Sequence, residues 1–213
     1  GDVMYAVYLG RALQTVNPPN ASVGSAQIAD SLISGKTALG ATPADTDELL
    51  ISDAGTLKRV DYSYLKSANT PAFYATNGST DQSINDGTQT KVDFGTEILD
   101  SDSAFASSRF TVPSGAAGKY YIFSSVDLLE SDSDMESHNI YFFKNGSQSV
   151  GHVFNNTSAS KVRRMSTYFG TIFDLSASDY MEIYFQFVGT AGNAASIKAN
   201  NAATFFGGYK IIE

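Results

Sequence analysis

The closing stretch, Thr204-Phe-Phe-Gly-Gly-Tyr-Lys-Ile-Ile-Glu213, constrains the fold more than any other part of this chain. An apolar strand with two adjacent glycines has to lie inside a packed sheet, where its backbone groups find partners. Gly207 and Gly208 remove side chains at a point where another backbone, or another subunit, approaches closely. This strand closes a series of short β segments that begins near Pro71.

The expected strands are 72–75, 91–94, 108–112, 118–128, 139–144, 149–155, 162–175, 180–188 and 203–212. Turn signals separate them at Pro113-Ser-Gly115, Asn145-Gly146 and Ser176-Ala-Ser-Asp179. Many strands at this spacing predict an all-β antiparallel sandwich of jelly-roll type. The abundance of Tyr (12) and Phe (14) suits such half-buried pleated surfaces. Adjacent aromatics such as Phe205 and Phe206 point to opposite faces of a sheet. If one face fills the sandwich, the other also carries large apolar groups and needs a cover, which an oligomer interface provides.

The first third reads differently. Residues 2–9 alternate loosely as a strand with nothing before them to pair with, so residues 1–16 read as the end of an upstream β domain. Asn17-Pro-Pro-Asn20 interrupts regular structure. Ser25 caps an expected short helix over 26–33, with Ile28 and Leu32 on one face and Gly35 at its end. Expected strands 48–52 and 56–60 flank Asp53-Ala-Gly55 as a hairpin, and Asp61 caps a helical turn over 62–65. A short helix and an isolated hairpin are each marginal in water. Residues 17–68 are therefore read as a connector stabilised by neighbouring chains, and 69–213 as the head.

Composition excludes several classes of function. Net charge is −8 and the 14 basic residues are scattered, so no nucleic-acid partner is expected. No apolar run approaches the roughly 20 residues of a membrane span. With no cysteine there are no disulfides and no thiolate metal sites. No nucleophile elbow, zincin motif or phosphate-binding glycine motif is present, and the only histidines, His138 and His152, read as surface or satisfied residues. No enzyme is expected and no cofactor is required.

The acidic stretch Glu130-Ser-Asp-Ser-Asp-Met-Glu136 is the one candidate for metal chemistry. Asp132, Asp134 and Glu136 supply hard oxygen ligands suited to calcium, although the spacing lacks the central glycine of an EF-hand. The plainer reading is a solvated acidic loop.

Strand parity gives a second expectation. From Gly118 onward, antiparallel strands put loops 128–138, 156–161 and 189–202 at one end and the tight turns 145–148 and 176–179 at the other. A rigid scaffold that gathers variable loops at one end is a recognition surface. Asp132, Asp134, Glu136, Asn156, Lys198 and Asn200 are its candidate binding residues, polar and expected to be dispensable for stability.

Two resemblances bear on these expectations. Phe94, Asp100, Phe105, Phe110 and Gly118-Lys-Tyr-Tyr-Ile-Phe123 resemble the first half of the complement C1q head domain, a relative of the tumour necrosis factor fold. Phe142-Phe-Lys-Asn-Gly146, Asp179-Tyr-Met-Glu-Ile183 and Phe206-Gly-Gly-Tyr-Lys-Ile211 resemble its later strands, with the departures in spacing of a divergent member. The segments 22–30 and 45–65 resemble those preceding the distal head in tail-fibre proteins of marine bacteriophages. Together the resemblances imply a homotrimeric, non-enzymatic fibre tip in a virion, joined to other tail proteins upstream. Its partner would be a glycan or protein receptor on the host bacterial surface. The alternative is a secreted C1q/TNF-like trimeric or lectin-like binding protein.

Overall fold

The computed structural model describes residues 1–4, 23, 28, 31–65, 68–132 and 134–211. Contacts divide the chain into two units, Gly1–Lys66 and Ser67–Glu213. The strand expected over 2–9 lies largely outside the described residues, and so does most of the helix expected over 26–33. The helix α1 is described over Ser31–Ser34 and closes where the Gly35 amide donates to the Ser31 carbonyl at 2.8 Å.

Among the described residues of the first unit is a hairpin, β1 (Glu48–Asp53) and β2 (Thr56–Asp61), paired from Glu48–Asp61 to Asp53–Thr56. Gly55 takes φ +84° at the turn, a conformation glycine adopts without a Cβ penalty. Cross-strand ion pairs Glu48–Arg59 and Asp53–Lys58 tie the two strands. A single 3-10 turn over Tyr62–Tyr64 follows Asp61, whose side chain makes no capping bond. The hairpin has no core of its own: Leu50 is 74% and Leu57 70% exposed.

The second unit is an antiparallel sandwich. Its strands are β3 (Ala72–Thr76), β4 (Gln82–Ile84), β5 (Thr90–Lys91), β6 (Thr96–Asp100), β7 (Phe105–Ala106), β8 (Arg109–Thr111), β9 (Gly118–Glu130), β10 (Met135–Lys144), β11 (Ser147–Asn155), β12 (Arg164–Leu175), β13 (Tyr180–Gly189), β14 (Ala195–Ile197) and β15 (Phe205–Lys210). One sheet is built on β9, which pairs with β12 along one edge and with β15 and then β14 along the other. β3 and β6 continue it beyond β15, and β4 continues it beyond β14. The second sheet runs β11-β10-β13, and β8 and β5 share the far edge of β13.

The core forms because side chains alternate across each strand. On β9, Tyr120, Ile122, Val126 and Leu128 are fully buried, as are Met181, Ile183, Phe185 and Phe187 on β13. Phe206 stands at the centre, edge-on to Phe73 at 4.9 Å and within 5.4 Å of Phe94. The Gly207–Gly208 pair does admit a close approach, but from this chain's own side chains. A Cβ on Gly207 would meet Phe123 Cζ at 2.6 Å, and one on Gly208 would meet Ile122 Cδ1 at 2.5 Å.

Several expected boundaries differ. The strand expected at 91–94 narrows to Thr90–Lys91. Val92 and Phe94 still enter the core, but the Phe94 amide donates to Ser108 Oγ at 2.8 Å instead of joining a ladder. The expected long loop 189–202 contains β14, which extends the line of β15 along β9. β4, β6 and β7 were not expected, since segments of two to five residues carry too little alternation to read.

His138 is a core residue, 1% exposed, stacked on Phe154 at a 4.8 Å ring separation and hydrogen-bonded to Thr167 Oγ1. Burial, assisted by His152, lowers it from the ordinary 6.5 to about 4. The unfolded chain therefore takes up this proton below about pH 6.5 and the folded chain only near 4. Its contribution to stability is full above 6.5 and declines as pH falls to 4, by about 3 kcal/mol. Carboxylates titrate in the same window, so the effect is read as a difference. Relative to a His138→Leu variant, the native protein is expected to lose that amount between pH 7 and pH 4 in urea unfolding. A constant difference across this range would show that the imidazole is not held neutral.

Candidate functional site

The sandwich presents two features outside its core: an aromatic sheet face and a cluster of loops at one end.

The face lies on the sheet built on β9. Tyr121 and Phe123 on β9, Tyr168 and Ile172 on β12, Phe205 and Tyr209 on β15, and Tyr74 on β3 all point away from the core. Their rings form one contiguous set: Phe123 lies 6.2 Å from Phe205 and 6.5 Å from both Tyr74 and Tyr168. Glycines flatten the surface. Gly170 and Gly207 flank Phe123 on the neighbouring strands, and a side chain at Gly170 would collide with the Tyr121 hydroxyl at 2.6 Å. The Tyr121 and Tyr168 hydroxyls bond to each other at 2.9 Å, and burial with the Tyr121 neighbour pushes the Tyr168 phenol up to about 12. The Tyr168 phenol is therefore neutral at physiological pH, yet in the single chain Tyr168 is 52% and Ile172 57% exposed. Further apolar side chains, Ile98 and Leu99, are exposed on β6 at the opposite margin of the same sheet.

Toward the loop end this face becomes polar. Asp127, on the same side of β9 as Phe123, is 2% exposed and accepts from both Arg164 Nε at 3.1 Å and Arg164 Nη2 at 2.6 Å. Ser166 Oγ and Asn200 Nδ2 donate to it as well. Burial alone would raise Asp127, but these donors and the guanidinium charge outweigh it and hold the carboxyl below its ordinary value.

The loops 131–134, 156–163 and 190–194 are joined at this end. The Thr190 and Ala191 amides donate to Asp134, Asn193 Nδ2 donates to Asp132 at 2.7 Å, and the Asn156 amide donates to the Glu136 carbonyl at 2.6 Å. The tight turns lie together at the other end, where Asn145 Nδ2 donates to Asp179 Oδ1 at 2.7 Å.

The six candidate binding residues are not equivalent. Asp132 and Glu136 are exposed. Asn156 caps its own loop by accepting from the Ser158 amide. Lys198 pairs with Asp81, and its carbonyl accepts from Asn77 and Thr204. Asn200 organises the turn into β15, with its carbonyl accepting from the Ala203 and Thr204 amides and its side chain reaching Asp127. Lys198 and Asn200 thus anchor the loop to the sheet, contrary to the expectation that their loss costs little stability.

The expected metal triad also does not assemble. Asp132 turns to Asn193, Glu136 faces Lys161 at 3.9 Å, and Asp134 alone turns inward. No group of three or more His, Asp or Glu side chains among the described residues is gathered to hold a metal ion. Asp134 meets Glu130 instead. Glu130 ends β9 with the core parity of Tyr120 and Ile122, and it is 1% exposed. Burial and the facing Asp134 carboxyl push it up to about 7. Sequence reading placed Glu130 in the acidic stretch but not among its candidate ligands, although two-residue parity along β9 points it inward. The histidines offer no catalytic arrangement: His138 with Thr167 is sealed in the core, and exposed His152 stacks on Phe169 at 5.6 Å.

No protein-family model matches the chain, and no curated protein matches it. Solved structures do. The tumour necrosis factor Eiger from S. frugiperda is 13% identical, with a TM-score of 0.51 over 67% of this chain and 92% of that one. The globular domain of zebrafish complement 1qA is 15% identical, with a TM-score of 0.46 over 68% of this chain and 99% of that one. Murine APRIL is 16% identical, with a TM-score of 0.46 over 66% and 98%. The likeness to Eiger shows the fold, an antiparallel jelly roll of the tumour necrosis factor kind.

Proposed function

We propose that this chain is a non-enzymatic binding head that works as a homotrimer, presenting its joined loops to a ligand. The observation that carries the reading is the flat, contiguous set of outward aromatic rings, an apolar patch unlike a surface meant to stay in water. The apolar groups at its two margins differ: Tyr168 and Ile172 on β12, Ile98 and Leu99 on β6. Contact between unlike margins is heterologous and closes only as a ring, of which three members is the smallest. In such a ring the loops of all three heads face the same way. Their individual contacts add through avidity, by about 10²–10⁴ over a single head.

A second, finer reading is favoured by the hairpin. A coreless β1–β2 with exposed leucines on both faces fits a connector that gains its cover from its own copies, as in the shaft of a fibre. Under that reading the head tips a phage tail fibre in a virion and attaches to a receptor on a bacterial surface. Without a fibre, the same head is a secreted C1q/TNF-like binding protein.

The loop assignment is tested with Asp132→Ala, Glu136→Ala and Lys161→Ala combined in the intact protein. Lys198 and Asn200 are left in place because they anchor the fold. Binding to bacterial cells and to a glycan array is expected to fall at least tenfold, with the melting temperature unchanged. Substitutions at Gln148, at the start of β11, and at Ser178, in the turn before β13, are expected to leave binding intact. The reverse pattern would put the ligand at the opposite end.

A further inference from the structure

Glu130 poses a chemical problem that the fold around it does not solve. It is 1% exposed, and neither Oε1 nor Oε2 has a hydrogen-bond partner of good geometry; the Asp134 carboxyl and main-chain N–H are the groups that approach it. Asp134 presents a second such oxygen: Oδ2 accepts from the Ala191 amide at 2.5 Å, whereas Oδ1 is buried without a partner. Buried carboxyl oxygens left this way are costly, and each calls for an explanation.

The unpartnered oxygens converge. The point where a side chain would leave Gly189 lies 2.7 Å from Glu130 Oε1 and 3.0 Å from Asp134 Oδ1. Glycine here keeps open a cradle that a methyl group would fill. A third acid adds to the field, since Asp86 Oδ1 accepts from the Gly189 amide at 2.7 Å. The basic group at this place does not offset it: Arg163 Nε donates to the main-chain carbonyl of Glu130 at 3.0 Å, not to the carboxyl. Lys161 faces Glu136, and Asp132 is taken by Asn193.

We propose that Glu130 and Asp134 bind a hard divalent cation, calcium above all, over Gly189. The cation would clamp the loop between β9 and β10 to the chain leaving β13. One proton shared between the two acids leaves a net negative charge in the field of Asp86, whereas a divalent cation neutralises both carboxylates. Calcium tolerates the irregular coordination of two carboxylates completed by water and carbonyl oxygens, and Asp134 lies at the partly exposed rim where water enters. With only two protein carboxylates, an affinity of about 10⁻⁴–10⁻³ M is expected. The site differs from an Asp132, Asp134 and Glu136 triad in its buried ligand, Glu130.

The test is thermal unfolding of the full chain in about 1 mM EDTA against about 10 mM CaCl₂ at matched ionic strength, a calcium concentration on the order of ten to a hundred times the expected dissociation constant. Calcium is expected to raise the native melting temperature by about 3–8 °C. Glu130→Gln and Asp134→Asn should abolish the rise, while Asp132→Asn and Glu136→Gln should keep it. Equilibrium dialysis with radioactive calcium is expected to give one ion per native chain and none for Asp134→Asn, whose partly exposed side chain is not needed for folding. No calcium shift in the native protein, or a shift that survives both Glu130→Gln and Asp134→Asn, overturns the proposal. So does a native melting temperature that rises on acidification to pH 5.5 but not with calcium, which would assign the pair a shared proton.

Discussion

Tyr168→Asp is expected to convert the assembled protein into folded monomers. Tyr168 stands on β12 among Phe123, Phe205 and Tyr121, and it is 52% exposed in the single chain, so the head does not need it to fold. In a closed ring the same position is covered, and each of three subunits would bury an unpaired carboxylate. Burying such a group costs several kcal/mol per copy, more than most non-obligate interfaces can lose. Sedimentation velocity should show the variant at one-third of the native mass, with an unchanged far-UV circular dichroism spectrum. A variant that keeps the native mass would show that this face is not the interface. Tyr168→Phe, which removes only the hydroxyl bond to Tyr121, should remain assembled.

Phe206→Ala is expected to cost about 3–5 kcal/mol of head stability, the usual range for deleting a large ring from a packed core. For a unit of this size that is a fall of roughly 10 °C in melting temperature. The ring is fully buried between the two sheets and touches Phe73, Phe94 and Phe105. Its neighbour Phe205 points to the opposite face, so Phe205→Ala should affect assembly more than folding. Comparing the two variants by calorimetry and by mass separates the faces of one strand. Equal losses of stability would contradict the assignment of Phe205 to the outer face.

The parts of the fold legible in the sequence were those with long two-residue alternation. β9, β10, β12 and β13 each run ten residues or more and carry one buried row apiece, as in Met181, Ile183, Phe185 and Phe187. The second apolar face followed from adjacent aromatics, because neighbours in a strand must diverge. What escaped was decided by contacts distant in the chain. β6 shows Ile98 and Leu99 to solvent and gives no alternating pattern. Val92 and Phe94 reach the core while a serine side chain replaces a strand partner. Lys198 and Asn200 look like free loop residues until Asp127, 73 residues before Asn200, is seen beneath them. Glu130 was legible by parity, but an acid in an acidic run reads as solvated unless that parity is followed to the end of β9.

Self-association is the claim on which the binding reading rests, and the mass of the intact chain in solution tests it most directly. Multi-angle light scattering behind size exclusion, at micromolar concentration, is predicted to give about three times 22.7 kDa, stable to dilution. A single species of 22.7 kDa would leave the aromatic face uncovered and contradict the account.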